Sequence, residues 1–375
     1  MSRQRTPLVF VSTSAVMWGA ETSLLVTAQH LARQGVQTGL LAQAPTFVEQ
    51  WPGDGKRLAR GLGFYARLLD TALRERPDAL VCCSLRLAAP FAALRLLPAG
   101  LRPALVFDLH DYLPTERGRA RIRLSTWWFD RVIAVSRFSA GQLDPDHTAH
   151  LVLARPVDAG DTGDTGDAAD TGDAGSYQAA GRRVGVVGRL DADKRIELAV
   201  EAVRRLPDVT LVLRGSAGLD PAYTERLQAR ARDALGDRVV FEGRVRRADV
   251  MAGLACMVVA NEEEALGRTV AEAQLAGVPV VVPDRGGAAE LVEDGRTGRH
   301  YEAASVESLA GAIRAVVDDP EGTREMARRA RSAAAGRHDP ARVAREYLRF
   351  ATSGPIAAPV RTVAARFRRA YRRVR

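Results

Sequence analysis

The sequence predicts an α/β protein built from two doubly wound, parallel-sheet halves. Three observations carry this. Short β-branched runs alternate with helical patterns in the first half of the 375 residues. A stretch with no hydrophobic residue larger than alanine then interrupts them, and the same alternation resumes after it. Strand, helix, strand in this rhythm gives a parallel sheet with helices on both faces.

Leu8–Val11 reads as a strand. Glu21–Arg33 reads as a helix, with Leu24, Leu25, Ala28 and Leu31 on one face and Gly35 as its stop. Val36–Ala42, Ala79–Cys83, Ala104–Phe107, Arg131–Val135 and His150–Leu153 read as strands; Gly61–Arg76 and a segment near Leu87–Leu97 read as helices. Asp158 to Gly175 consists of Asp, Thr, Gly and Ala, with Asp at every third position, and cannot form a core. It lacks the nonapeptide pattern of calcium-binding repeats, so a flexible connector is expected. Beyond it, Arg183–Val187, Val209–Leu213, Val239–Glu242, Met257–Ala260 and Val278–Pro283 read as strands. Ile196–Arg205, 221–235, Arg268–Ala276, Val306–Val317, Glu321–Ala335 and Pro340–Ala351 read as helices. The expected organisation is an N-terminal domain over 1–157 and a linker over 158–181. A second domain follows over 182–338, then a helix over 339–352 crossing back to the first domain and a basic tail over 353–375. Ligands of such sheets bind beyond the carboxyl ends of the strands, so the site is expected in a cleft between the two halves.

Composition narrows the function classes. The 46% hydrophobic and 26% charged residues are globular values, and no run of apolar residues is long enough for a transmembrane helix. Leu8–Val11 is too short for a signal-peptide core, so a cytoplasmic location is expected. Cys82, Cys83 and Cys256 lie in apolar runs and read as buried thiols, with no Cys/His spacing of a zinc site. The net charge of +9 is concentrated in seven arginines within 361–375, which leaves the rest close to neutral. Of 54 basic residues only Lys56 and Lys194 are lysines.

The candidate chemistry lies mostly in the second half. Gly188-Arg189-Leu190 ends a strand, with Lys194-Arg195 following at a helix start. Glycine lets a ligand approach the backbone, Arg189 offers a planar fork and Lys194 a point charge, together suited to a diphosphate. Asp191-Ala192-Asp193 has the look of a metal-binding motif, but carboxylates between two phosphate-binding cations would blunt their attraction, and no metal is expected. Glu262-Glu263-Glu264-Ala265-Leu266-Gly267-Arg268 leads from a strand into a helix that also carries Glu272. Free N–H groups at the helix mouth suit phosphate, while carboxylates suit sugar and ribose hydroxyls. Arg285-Gly286-Gly287 with Glu290 at a new helix start repeats the logic, though in isolation it is only a tight turn.

The order of these residues resembles retaining glycosyltransferases of the GT-B fold, glycosyltransferase family 4. Glu264 and Glu272 have the Glu-x7-Glu spacing, and Glu272 to Val280 (EAQLAGVPV) follows the family pattern. Gly188-Arg189-Leu190 with Lys194 resembles the diphosphate site, Trp18-Gly19-Ala20-Glu21 the N-terminal glycine loop, and Phe107-Asp108-Leu109-His110-Asp111 the strand end supplying a histidine. The resemblance covers residues 7 to 350. It implies two Rossmann-like domains facing a cleft, and a nucleotide-sugar donor with no cofactor and no metal. Arg189 and Lys194 would hold the diphosphate, Glu272 the ribose and Glu264 the sugar ring. Amides near Leu266 and Gly267, beside Arg268, would bind sugar hydroxyls or phosphate. Gly19 and Gly188 would pass close to the donor, and His110 would contact the sugar. Trp18 stands where the family has glycine, and Ala265-Leu266 replaces Gly-Phe or Pro-Phe, so acceptor and sugar choice are expected to differ.

The tail places Val360, Val363, Ala364, Phe367, Tyr371 and Val374 at helical spacing among arginines. A basic amphipathic helix over 360–375 suggests an anionic membrane surface as a partner; no base-reading motif points to nucleic acid. A dinucleotide-dependent oxidoreductase would need a glycine fingerprint after the first strand, where this chain reads Val11-Ser12-Thr13-Ser14-Ala15-Val16. A sugar-nucleotide epimerase is disfavoured by the Glu264/Glu272 pair. The remaining alternative is a GT-B protein that binds sugar nucleotides without transferring them.

Overall fold

A computed structural model describes residues 6–57, 62–144, 149–158, 181–218 and 220–355. Most of the Asp-rich connector (159–180) and the basic tail (356–375) lie outside the described residues, and with them the membrane-surface expectation. The chain divides into two compact units, Met1–Pro156 with Pro340–Arg375, and Val157–Asp339. Among the described residues no helix is long and apolar enough to cross a membrane.

Unit 1 runs β1 (Leu8–Ser12), α1 (Gly19–Arg33), β2 (Thr38–Ala42), α2 (Pro45–Glu49), β3 (Asp54–Arg57), α3 (Leu62–Asp70), β4 (Ala79–Cys82), α4 (Ala88–Arg95), β5 (Ala104–Leu109), α5 (Glu116–Thr126), β6 (Arg131–Ala134), α6 (Arg137–Ala140) and β7 (His150–Val152). Its strands form one parallel sheet in the order β3-β2-β1-β4-β5-β6-β7. The alternation along β1 shows why both faces are covered. Leu8 and Phe10 enter one core with Leu24, Leu31 and Leu40, while Val9 and Val11 enter another with Phe64, Leu80 and Phe91.

Unit 2 continues with β8 (Arg183–Val187), α7 (Ile196–Arg204), β9 (Thr210–Arg214), α8 (Pro221–Leu235), β10 (Val239–Gly243), β11 (Cys256–Val258), α9 (Arg268–Leu275), β12 (Val280–Pro283), β13 (Arg299–Tyr301), α10 (Val306–Val317) and α11 (Pro320–Arg337). Its parallel sheet has the order β10-β9-β8-β11-β12-β13. In both sheets the order reverses once, between β1 and β4 and between β8 and β11. Such a reversal sends neighbouring connections to opposite faces and leaves the carboxyl ends of the two strands uncovered.

The last helix, α12 (Pro340–Ala351), belongs to unit 1. Val343, Ala344, Tyr347 and Ala351 on its buried stripe enter the core formed by β1 and α1. Tyr347 also packs its ring 5.8 Å from that of Phe10.

Several elements differ from the sequence expectation. β3 (DGKR) has no apolar residue to announce it. It forms because an edge strand can be charged, and Lys56 pairs there with Asp54 at 3.0 Å. The helix expected over Gly61–Arg76 is α3 followed by a wider turn over Thr71–Glu75, ended by Arg76 in the left-handed region. α5 has no regular apolar stripe to announce it, since four of its eleven residues are arginine. Thr115 caps it by accepting from Gly118 N at 3.1 Å. β5 extends past Phe107 to Leu109, since the buried Asp108 is neutralised rather than solvated. The helix expected to begin near Glu290 is a three-residue turn, Ala289–Leu291.

One buried charge cluster holds the foot of β5. Asp130 accepts two bonds from Arg102, at 2.5 and 3.0 Å, and one from the Leu105 amide at 2.8 Å; Arg95 approaches to 3.3 Å. Removing the carboxylate would leave a buried guanidinium without its main counter-charge. Asp130→Ala is expected to destabilise unit 1 by about 3–5 kcal/mol. Tryptophan fluorescence during urea unfolding measures this directly, because Trp18, Trp51, Trp127 and Trp128 all belong to unit 1.

Candidate functional site

The reversal between β8 and β11 brings two loops of unit 2 together. After β8 the chain turns at Gly188, whose φ is 142°. Its carbonyl approaches Gly215 so closely that a Cβ there would lie 1.7 Å away. No side chain fits at Gly215, and the backbone carrying Arg189 is thereby pinned to the end of β9. Asp191 to Lys194 follow as a tight turn, and Arg195 adopts the left-handed conformation before α7 begins.

The second loop leaves β11. Asn261 Oδ1 accepts from the Glu263 amide at 2.9 Å, which curls the glutamate run back on itself. Gly267, at a φ of 84°, opens α9, and Leu266 is buried beneath it. The Gly286-Gly287 pair braces this loop from behind. Gly287 N donates to Glu264 O at 2.7 Å, and a Cβ on Gly287 would meet Ala265 O at 2.0 Å. The pair is therefore more than a tight turn: it sets the height of the Glu264 backbone. Nothing in the dipeptide itself could have shown this, because the partner is distant in sequence.

Side chains from the two loops meet. Lys194 Nζ donates to Glu264 Oε2 at 2.7 Å and lies 3.8 Å from Asp193. Arg189 pairs with Asp191. One helical turn into α9, Glu272 Oε1 accepts from Arg268 Nε at 2.8 Å and from Arg247 Nη2 at 3.3 Å. Glu262 pairs with Arg195 and Arg285. The sequence motifs include Arg195, Glu262 and Arg285 without their partners, and give no sign of Arg247. Only the fold reveals these pairings. Arg189, Lys194, Glu264, Leu266, Gly267, Arg268 and Glu272 thus occupy one edge of unit 2, with Gly188 at the strand exit.

Chemically this edge is a balanced field of cations and carboxylates around a helix N-terminus. An anion arriving there finds Arg189, Lys194 and the N-terminus of α9. A polyol finds Glu264 and Glu272. Each cation is already matched by an acid, so a ligand must exchange partners with the protein rather than fill bare charges.

The two other predicted residues belong to unit 1. Gly19 is exposed at the first position of α1. The Glu21 of the same motif caps that helix, accepting from Trp18 N at 3.1 Å, so its role is structural. His110 follows the end of β5, and its Nδ1 lies 3.2 Å from Asp108 Oδ1. Burial alone would lower the imidazole pKa. The bond to Asp108 and the charges of Asp111 and Asp108 outweigh burial and Arg155, and hold it above its ordinary value. Among the described residues no three His, Cys, Asp or Glu side chains are grouped to hold a metal ion.

The model of glycosyltransferase family 4 matches residues 18–151, and that of glycosyl transferases group 1 matches residues 179–334. A lipopolysaccharide core biosynthesis mannosyltransferase of Rhizobium leguminosarum, LpcC, is 32% identical over 223 residues, covering 55% of this chain and 60% of that protein. A GDP-mannose-dependent alpha-mannosyltransferase of Mycolicibacterium smegmatis is 40% identical over 119 residues, 31% of this chain and 29% of that protein. The matches to these curated relatives thus span less than two thirds of the relatives' own lengths. Among solved structures, Anabaena HepE in complex with UDP and glucose superposes with a TM-score of 0.76 at 24% identity, over 91% of this chain and 97% of that one. Sucrose-phosphate synthase from Thermosynechococcus elongatus gives a TM-score of 0.76 at 17% identity, over 92% and 97%. The chain has the GT-B architecture of two parallel-sheet units, and it belongs to the group 1 glycosyl transferases, with a family 4 glycosyltransferase domain ahead of the group 1 domain.

Proposed function

We propose that the protein is a retaining glycosyltransferase that moves a hexose from a UDP- or GDP-sugar to a hydroxyl of a lipid, glycan or small-molecule acceptor. The observation that carries this is the Lys194–Glu264 contact at the strand reversal, with Arg189 and the α9 N-terminus beside it. The UDP held by the HepE structures and the GDP-mannose used by the mycobacterial relative support a nucleotide-sugar donor.

In this reading Arg189 and Lys194 bind the donor diphosphate and stabilise the charge that grows on it as the bond from the anomeric carbon to the phosphate oxygen breaks. Glu264 leaves Lys194 and accepts from a sugar hydroxyl. Glu272, aimed by Arg268 and Arg247, accepts from the ribose. Amides at Leu266 and Gly267 take phosphate or sugar oxygens, and Gly188 lets the donor lie against the backbone. The acceptor oxygen bonds to the anomeric carbon on the face the phosphate leaves, and the departing phosphate oxygen takes the acceptor proton. His110 is assigned a contact to the sugar, and Gly19 one to phosphate or acceptor. The reaction takes place in the cytoplasm. Side-chain cations do the electrostatic work, so no divalent metal is required.

Lys194→Ala is expected to lower kcat by about 10²–10³-fold, read as nucleotide release from a panel of UDP- and GDP-sugars. Wild-type turnover in this variant would refute the assignment. Glu264→Gln should split the two functions. Transfer falls, while UDP or GDP binds as tightly or more tightly in calorimetry, because Lys194 has lost its competing carboxylate. Chelation with EDTA should leave transfer unchanged.

A further inference from the structure

Behind His110 lies a charged group that the proposed transfer chemistry does not use. Asp108 is completely buried, and each lone-pair direction of its carboxylate is taken. Oδ1 accepts from Arg155 Nη2 and faces His110 Nδ1 at 3.2 Å; Oδ2 accepts from Arg155 Nη1 at 3.0 Å and from the Tyr347 hydroxyl at 2.7 Å. The partners come from three separate places. His110 follows the same strand by two residues, Arg155 lies just ahead of the boundary at Pro156, and Tyr347 stands on α12, the helix that re-enters unit 1 after residue 339. Arg155 and Tyr347 are themselves buried.

The pairing has more parts than a structural ion pair requires. Asp108 and Arg155 alone would neutralise each other. Burying a tyrosine hydroxyl on the same carboxylate adds a polar group to a core that a phenylalanine would fill equally well. What the tyrosine does is occupy a direction on Oδ2, so that the carboxylate's one remaining direction points at the imidazole. An ionised carboxylate only accepts, so the nitrogen facing it must carry a proton. Asp108 is held well below the usual carboxylate range, since Arg155 and the bond to His110 outweigh its burial. Nδ1 therefore carries a proton whenever Asp108 is ionised. Nε2 is left on the open side, 3.9 Å from the exposed Asp111.

We propose that Tyr347 and Arg155 are positioning residues that act on His110 through Asp108, fixing the Nδ1–H tautomer and presenting Nε2 to substrate. This rests on the assignment of His110 to the transferase site. It makes α12, a helix far from the donor motifs in sequence, a part of the catalytic apparatus of unit 1. Above its titration midpoint His110 then offers Nε2 as an acceptor for a sugar hydroxyl; below it the same atom is a charged donor.

The charged and titratable groups around the imidazole are Asp108, Asp111 and Arg155, with Tyr347 and Cys83 behind Asp108. Tyr347→Phe changes only one of them. It removes a donor from Asp108, leaves more charge on Oδ1, and should raise the His110 midpoint by a few tenths of a pH unit or more. Imidazole nitrogen NMR of the full chain reads this, with the His110 signals identified by their loss in His110→Gln. In the wild type at alkaline pH, Nδ1 should be protonated and Nε2 not, the reverse of the tautomer that free histidine favours. In Tyr347→Phe the midpoint should rise, and the pH profile of kcat should move with it while KM stays close to wild type. An Nε2–H tautomer in the wild type, or an unmoved midpoint in a folded Tyr347→Phe, would overturn the proposal. Should that variant not fold, the wild-type tautomer alone decides. If the midpoint moves and the rate profile does not, the positioning stands and the sugar contact of His110 is what fails.

Discussion

The reversal of strand order between β8 and β11 is the constraint on which the donor-side chemistry depends. Connections that diverge to opposite faces cannot cover the two strand ends between them. The loops leaving those ends are therefore free to carry polar side chains without burying them. Gly188 and Gly215 bring one loop tightly onto the sheet, and Gly287 braces the other from behind. Between them the backbone fixes where Lys194 and Glu264 start, and their long side chains close the remaining distance. The precision of this edge is thus a backbone property, and it follows from glycines that no larger residue could replace.

Electrostatic balance follows from the same crowding. Arg189, Lys194, Arg195, Arg247, Arg268 and Arg285 are matched by Asp191, Asp193, Glu262, Glu264 and Glu272. A field of unmatched cations would repel itself and draw any polyanion. In the proposed reaction, phosphate replaces the acids at the cations, and hydroxyls replace the cations at the acids. A diphosphate or a sugar alone satisfies half of this exchange, which is a physical basis for selecting the joined molecule.

Much of the architecture was legible in the sequence because parallel strands buried on both faces leave unbroken apolar runs. Arg183–Val187 is readable to the residue for this reason, and the helices Val306–Val317 and Pro340–Ala351 are so from the helical spacing of their apolar residues. β3 was not, because edge pairing with β2 needs only backbone. The family motifs gave the chemical identities of Arg189, Lys194, Glu264 and Glu272, but not their partners. Arg247 reaches Glu272 from the loop after β10, and Tyr347 reaches Asp108 across 239 residues of chain. Such contacts are made by topology, and a local pattern holds no trace of them. Asp108 could have been questioned, since an acid within an apolar strand demands a counter-charge, yet nothing nearby named Arg155.

The choice of lysine at position 194 fits the exchange described above. This chain uses arginine almost everywhere, and Lys194 is one of two exceptions. The other, Lys56, sits on the edge strand β3 between Asp54 and Glu75. At 194 the difference matters. A guanidinium facing Glu264 could engage both carboxylate oxygens through its planar fork, and releasing that pair would require breaking two aligned bonds at once. The ammonium group makes a single bond to Oε2 and can turn on its stem toward a phosphate while Glu264 turns toward a hydroxyl. The acid partner of Arg189, Asp191, stands two residues away on the same turn, whereas Glu264 stands 70 residues from Lys194 on another loop. In the proposed cycle Lys194 changes partners, a task better served by a point charge than by a fork, and the single lysine of unit 2 stands at that position.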